Sequence, residues 1–323
     1  MKEINLLAEC AGASRIGISA HARPDGDAVG SCMALYGYLK KLLPEAEVSV
    51  FLERPADVFL NMEHIDEIDS AFENRRPFDI FFALDTVKER LGEAEKYFDL
   101  ARKTINIDHH ISNRTGCGDV NVVIPEASST AEVLFGLMDE ELLDTDIAKA
   151  LYIGIIHDSG VFQYSCTSPR TLEAAARLIR FDFNFPKLIE ETFYQKTYLQ
   201  NQILGRALME SIRFMNGRCI VSCVGRKMME FYGVQPVDLD GIVNHLRSIK
   251  GVDCAIFMYE TGVLEYKVSM RSNECVDVSK VAMFFGGGGH VRAAGCTMSG
   301  TFHDVVNNLS LHIEKQLEQM KEQ

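Results

Sequence analysis

The first half of the chain alternates short apolar runs with helical patterns, and this grammar restricts the fold more than any other feature. Runs of strand length occupy residues 16–20, 48–52, 80–84 and 104–107, with helix-like stretches at 29–43 and 88–100 between them. Continuous apolar strands are those buried on both faces, and parallel neighbours need a helical crossover. The expected fold is therefore α/β, with an N-terminal mainly parallel sheet carrying helices on both faces. After a further run at 120–124, Ser129 with Glu132 reads as a capping box opening an apolar helix at 133–138. Helical patterns follow at 147–156 and 169–180.

From about residue 181 the pattern changes. Segments 186–191 and 199–209 read as connecting helices. Runs 212–214 and 219–224 flank Asn216-Gly217, a hairpin signal. Runs 254–259 and 264–270 read as a second hairpin turning at Thr261-Gly262. In its second arm Leu264, Tyr266, Val268 and Met270 alternate with Glu265, Lys267, Ser269 and Arg271. One face is buried and one is polar, as in an antiparallel sheet. A long helix at 302–319 closes the chain. These signals predict a smaller α/β C-terminal domain with a mixed or antiparallel sheet. The expected boundaries are 1–185 for the first domain, 186–205 for a helical linker and 206–323 for the second.

Charge narrows the function. Lys and Arg number 33 and Asp and Glu 46, a formal net charge of −13. So acidic a chain lacks the basic footprint that duplex nucleic acid requires, but it permits a short anionic substrate held by local cations. The nine cysteines are odd in number and form no CxxC pair, which suits a reducing compartment. No stretch is long and apolar enough for a bilayer, and the first residues lack the apolar run of a signal peptide. A cytoplasmic protein without membrane contact is expected.

Four polar clusters stand at the ends of apolar segments: HARPDGD from His21 to Asp27, Asp85 after IFFAL, Asp108-His109-His110, and Asp158-Ser159-Gly160. Alone, Asp25-Gly26 reads as a turn, Asp85 as a helix N-cap and the two histidines as solvated loop residues. Residues just past the carboxyl ends of parallel strands, however, converge on one crevice. Three of the clusters meet that condition. Carboxylate oxygen with some imidazole, and no thiolate, suits Mn²⁺, or less well Mg²⁺. Asp25, Asp27, Asp85 and Asp158 carry −4 when ionised, a charge that two divalent cations cancel. Two metals are also an arrangement that hydrolyses phosphoesters. In the second half Gly286, Gly287, Gly288 and Gly289 precede His290, and residues without Cβ let backbone N–H groups cradle an anion. Arg271, at the end of its strand, is a further candidate to grip a phosphate.

The segments HARPDGDAVGS, ALDT, IDHH and HDSG, in this order, resemble the four motifs of the DHH family of phosphoesterases. FGGGGHVRAAG, from Phe285 to Gly295, resembles the glycine-rich motif of the DHH-associated substrate-binding domain. Length and domain pairing are most similar to the nanoRNase/pAp-phosphatase branch, which is RecJ-like and includes phosphodiesterases acting on cyclic di-AMP or pApA. The resemblance implies a catalytic first domain and a substrate-binding second domain. It implies His21 and Asp25 on one metal, Asp27, His109 and Asp158 on the other, and Asp85 bridging both. It also implies Asp108 orienting the site and His110 beside the scissile phosphate. Ser159 stands where the family often has Thr, which leaves Asp158 in place. The function implied is two-metal hydrolysis of short single-stranded oligonucleotides or small nucleotides (pApA, nanoRNA, pAp) to mononucleotides. Cyclic di-AMP phosphodiesterase, exopolyphosphatase or pyrophosphatase, and a non-catalytic nucleotide-binding regulator are the alternatives. Homodimerisation is left open.

Overall fold

Ile16 and Ile18 sit without solvent exposure in β1, Arg15–Ser19, the second strand of a five-stranded parallel sheet. The computed structural model describes residues 4–319, except for the side chain of His290. The sheet runs β2-β1-β3-β4-β5, with β2 Glu47–Phe51, β3 Ile80–Leu84, β4 Lys103–Asp108 and β5 Val120–Val123. All five residues of β3 are buried, as a central strand covered on both faces requires. The helices are α1 Leu6–Glu9, α2 Gly26–Leu42, α3 Glu95–Leu100, α4 Thr130–Phe135, α5 Thr145–Asp158, α6 Pro169–Leu178 and α7 Phe185–Ile189. Ile16, Ile18, Phe82 and Leu84 pack towards α2 and α5. On the other face Phe51, Phe78 and Phe81 pack with Tyr97 and Phe98 of α3. The first half is thus an α/β sheet with helices on both faces.

Two compact units divide the chain, one ending at Gln195 and the other beginning at Lys196. In the second, a six-stranded sheet runs β10-β11-β9-β8-β7-β6. Its strands are β6 Ile212–Phe214, β7 Cys219–Val224, β8 Cys254–Gly262, β9 Glu265–Ser272, β10 Gly288–His290 and β11 Ala293–Ser299. β7 and β8 are parallel and every other pair is antiparallel, so the sheet is mixed. Three helices, α8 Tyr198–Met209, α9 Arg226–Tyr232 and α10 Ile242–Arg247, pack on one face around Ile203, Ile220 and Leu246. Helices α11 Val278–Phe284 and α12 Phe302–Gln319 cover the other around Val268, Val281 and Ile313.

Three local expectations are corrected. The stretch 88–100 is two 3₁₀ turns, Lys88–Arg90 and Gly92–Ala94, followed by the short α3. Ser129 does cap α4, accepting from the N–H of Glu132, but no capping box forms. The Glu132 carboxylate turns instead to Ser128 and Thr171. The second hairpin runs on past Thr261-Gly262 and turns at Val263-Leu264, where Leu264 has φ 54° and β8 is irregular between Glu260 and Gly262.

Candidate active site

The carboxyl ends of β1, β3 and β4 lie side by side, since β3 pairs with both neighbours. Beyond β1 the chain turns through His21 into α2, whose N-cap is Asp25; its Oδ1 accepts from the N–H of Asp27 and of Ala28, both at 3.1 Å. Beyond β3, Asp85 adopts φ 55°, an unusual backbone for a residue with a Cβ, while its N–H donates to Ile107. β4 ends at Asp108, followed by His109 and His110. Helix α5 brings Asp158 in at its C-terminal end.

These residues come together. His21 Nε2 lies 3.6 Å from Asp25 Oδ2 and 3.5 Å from Asp85 Oδ2. His109 Nε2 lies 2.9 Å from Asp158 Oδ2, 3.5 Å from Asp85 Oδ1 and 4.0 Å from Asp27 Oδ2. Three donor-atom groups result: His21, Asp25 and Asp85; Asp27, His109 and Asp158; and Asp85, His109 and His110. The two oxygens of Asp85 thus face two different imidazoles. Asp27 is 0% and Asp85 2% exposed. Asp108 stands apart from the groups. Its Oδ1 accepts from the N–H of His109 and His110 and from His110 Nδ1, and its Oδ2 from Asn113 Nδ2 at 2.6 Å.

The electrostatics describe a site with surplus negative charge. Burial opposes protonation of His21 and His109, but the facing carboxylates overcome it and push both imidazoles up to about 10. Burial, joined by the neighbouring carboxylates of Asp85 and Asp158, drives Asp27 well above the usual carboxylate range. Burial also raises Asp158, against the pull of His109. Burial likewise opposes ionisation of Asp25, yet His21 holds it down at about 2. It opposes the charge on His110 too, and Asp108 and Asp85 nevertheless raise that imidazole.

The donor set fits divalent metal. His21 Nδ1 lies 2.9 Å from the Ala22 carbonyl and His109 Nδ1 3.3 Å from that of Ala127. A carbonyl can only accept, so each Nδ1 carries the hydrogen and each Nε2 is left for the cluster, the tautomer that metal-binding histidines use. His109 Nε2 is buried and makes no directed hydrogen bond, although three carboxylates surround it. An imidazole nitrogen aimed among several oxygens fits a cation among them better than any single acceptor.

The second unit holds the remaining candidates. Arg271 lies near the end of β9, and its Nη1 donates to the Met270 carbonyl. In sheet register Arg271 pairs with Ala293, and Ala293 with His290. The side chain of His290 lies outside the described residues. Gly288 and Gly289 belong to β10 rather than to a free loop. A Cβ on Gly287 would lie 2.2 Å from the Gly295 carbonyl oxygen, and one on Gly289 2.4 Å from that of Ala293. Close approach to β11 therefore accounts for two of the four glycines. Gly286 has φ 72°, and Gly288 meets nothing within 4 Å.

Sequence reasoning missed three residues at the cluster: Ser31 Oγ donates to Asp27, Thr130 Oγ1 to Asp85, and Asn113 to Asp108. Ser-Ser-Thr-Ala-Glu carried a signal, but it read as a helix start alone.

Residues 15–155 match the DHH family, N-terminal domain, and residues 216–320 match the DHHA1 domain. The bifunctional oligoribonuclease and PAP phosphatase NrnA of Thermus thermophilus is 31% identical over 290 residues, which cover 88% of this chain and 84% of that protein. NrnA of Bacillus subtilis is 27% identical over 285 residues, 86% of this chain and 87% of that one. The crystal structure of an exopolyphosphatase-related protein from Bacteroides fragilis shares the fold, with a TM-score of 0.88 at 24% identity over 96% of this chain and 94% of that chain. The chain belongs to the DHH family and pairs its DHH N-terminal domain with a DHHA1 domain.

Proposed function

We propose that this chain is a two-metal phosphoesterase that hydrolyses short oligonucleotides and small nucleotides such as pApA and pAp to mononucleotides. The observation that carries the reading is the sharing of Asp85: one of its oxygens is 3.5 Å from His21 Nε2 and the other 3.5 Å from His109 Nε2. The NrnA relatives, named as oligoribonucleases and PAP phosphatases, support the substrate class.

His21, Asp25 and Asp85 would hold one ion, and Asp27, His109 and Asp158, again with Asp85, the other. A divalent pair there, Mn²⁺ being the better match to mixed oxygen and imidazole donors, supplies positive charge that acidifies water and offsets charge on the phosphoryl oxygens. The chain's own residues do the rest. Asp108 fixes the His110 ring through Nδ1. Against the burial of the ring, Asp108 and Asp85 raise the His110 imidazole above its ordinary value, and the ring so held would bring a donor to the phosphoryl group. In the second unit Arg271, the backbone of Gly288 and Gly289, and His290 would take the terminal phosphate, whereas the N–H groups of Gly286 and Gly287, expected in the same cradle, already donate to the Met283 and Ala282 carbonyls.

With Mn²⁺, Asp85→Ala lowers turnover of pApA by at least about 10²-fold, and chelation by EDTA abolishes turnover in the unaltered chain. Near-normal rates in either case would refute the reading. A substrate panel with products separated by chromatography should give AMP from pApA well ahead of phosphate from polyphosphate or cleavage of cyclic di-AMP. The reverse order would move the chain to another DHH activity.

A further inference from the structure

Asp27 and Asp85 come from different elements, the first turn of α2 and the loop after β3, yet one residue grips both. The backbone N–H of Thr130 donates to Asp27 Oδ2 at 2.6 Å, and its hydroxyl donates to Asp85 Oδ1 at 3.1 Å. The N–H of Ala131 completes the hold on Asp27 at Oδ1, 3.0 Å away. Ser129 already caps α4 through the N–H of Glu132. The two preceding N–H groups, which a helix start leaves without intrahelical partners, are therefore spent on a carboxylate about a hundred residues away in the chain.

The grip is braced from behind. Glu132, 1% exposed, accepts at Oε2 from the N–H of Ser128 (3.0 Å), the Ser128 hydroxyl (2.8 Å) and the Thr171 hydroxyl (2.8 Å). Thr171 in turn closes the capping box of α6 with Ser168. The other Glu132 oxygen, Oε1, is buried without a hydrogen bond and faces Arg170 Nε at 3.6 Å, so the bracing runs through the three donors on Oε2. It fixes the segment 128–131, and through it the separation of the two carboxylates.

We propose that Thr130 is a positioning residue of the metal pair, holding Asp27 by its N–H and Asp85 by its hydroxyl so that a second lone pair on each gripped oxygen remains for a cation. The assignment rests on the two-metal reading above. It predicts that the hydroxyl governs metal affinity before any substrate is present.

The test is calorimetric titration of metal-stripped, full-length chain with Mn²⁺. Thr130→Val keeps the N–H and the shape but deletes the hydroxyl, and its Mn²⁺ affinity should fall by about 10- to 100-fold. The metal-free melting temperature should stay within a few degrees of the original. Thr130→Ser keeps a hydroxyl and should restore most of the affinity. Thr130→Ala, titrated in parallel, should repeat the loss and covers the case in which buried valine disturbs folding. Valine and alanine variants that titrate like the unaltered chain would overturn the proposal. A serine variant as weak as valine would assign the effect to packing of the methyl group and also overturn it. An unaltered chain that takes up no Mn²⁺ would remove the two-metal reading itself, an outcome distinct from either.

Discussion

Three of the four acids of the cluster, Asp25, Asp27 and Asp85, are held on one side by backbone or hydroxyl donors, while the Asp158 carboxylate faces His109 alone among the hydrogen bonds and ion pairs of the described residues. Asp25 accepts two backbone N–H groups, Asp27 two more with the Ser31 hydroxyl, and Asp85 the Thr130 hydroxyl. The ordering of these side chains is thus complete on folding, as a precise site demands. Away from the cluster, Asp144 shows the simpler case of a carboxylate in its ordinary structural role. It caps α5 by accepting from the N–H of Asp146 and Ile147 and faces Lys41 Nζ at 2.6 Å. Burial opposes its ionisation, but the Ile147 N–H and Lys41 prevail and hold it below the usual carboxylate range. Its stabilising effect is therefore fully present above pH about 4 and is lost as pH falls through the lowered native value. Asp144→Ala should cost about 1 kcal/mol in urea unfolding at pH 6, and the gap to the unaltered chain should narrow at pH 3. A gap that does not change with pH would contradict this.

At the scale of elements, the site depends on how closely α5 approaches the start of α4. A Cβ on Gly154 would lie 2.5 Å from Ala131 Cβ and 2.6 Å from Asp27 Oδ1. Gly154→Ala should destabilise the chain by about 1–3 kcal/mol and displace Asp27. At Gly205, within α8, a Cβ would meet nothing within 4 Å. There alanine should instead stabilise by about 0.5–1 kcal/mol, and equal effects at the two glycines in urea unfolding would refute the packing argument. The strands of the parallel sheet were legible because burial on both faces leaves long apolar runs such as Ile80–Leu84. The closing helix Phe302–Gln319 was legible from its polar and apolar periodicity. β10 and β11 were not, because Gly288 and Gly289 give no strand signal and the small residues of β11 obscure its alternation. The role of Thr130 was equally hidden, since it depends on contacts with residues distant in sequence.

At the scale of the molecule, the candidate residues fall in both of its two compact units. His21, Asp25, Asp27, Asp85, His109 and Asp158 all precede the division at Gln195, and Arg271 with the glycine run follows it. A ligand that binds the folded state alone stabilises it by about 2.7 kcal/mol at a hundred times its Kd. Mn²⁺ should therefore slow amide hydrogen exchange in the unit ending at Gln195 and leave the core strands of the other unchanged. Slowing spread equally over both would contradict that assignment. The shared carboxylate at the heart of the site is tested most directly by counting metal: dialysis of the stripped chain against Mn²⁺, elemental analysis, and electron paramagnetic resonance of the product. Two ions per chain with a spin-coupled signal is the expected result. A single uncoupled ion, or none, would contradict the account.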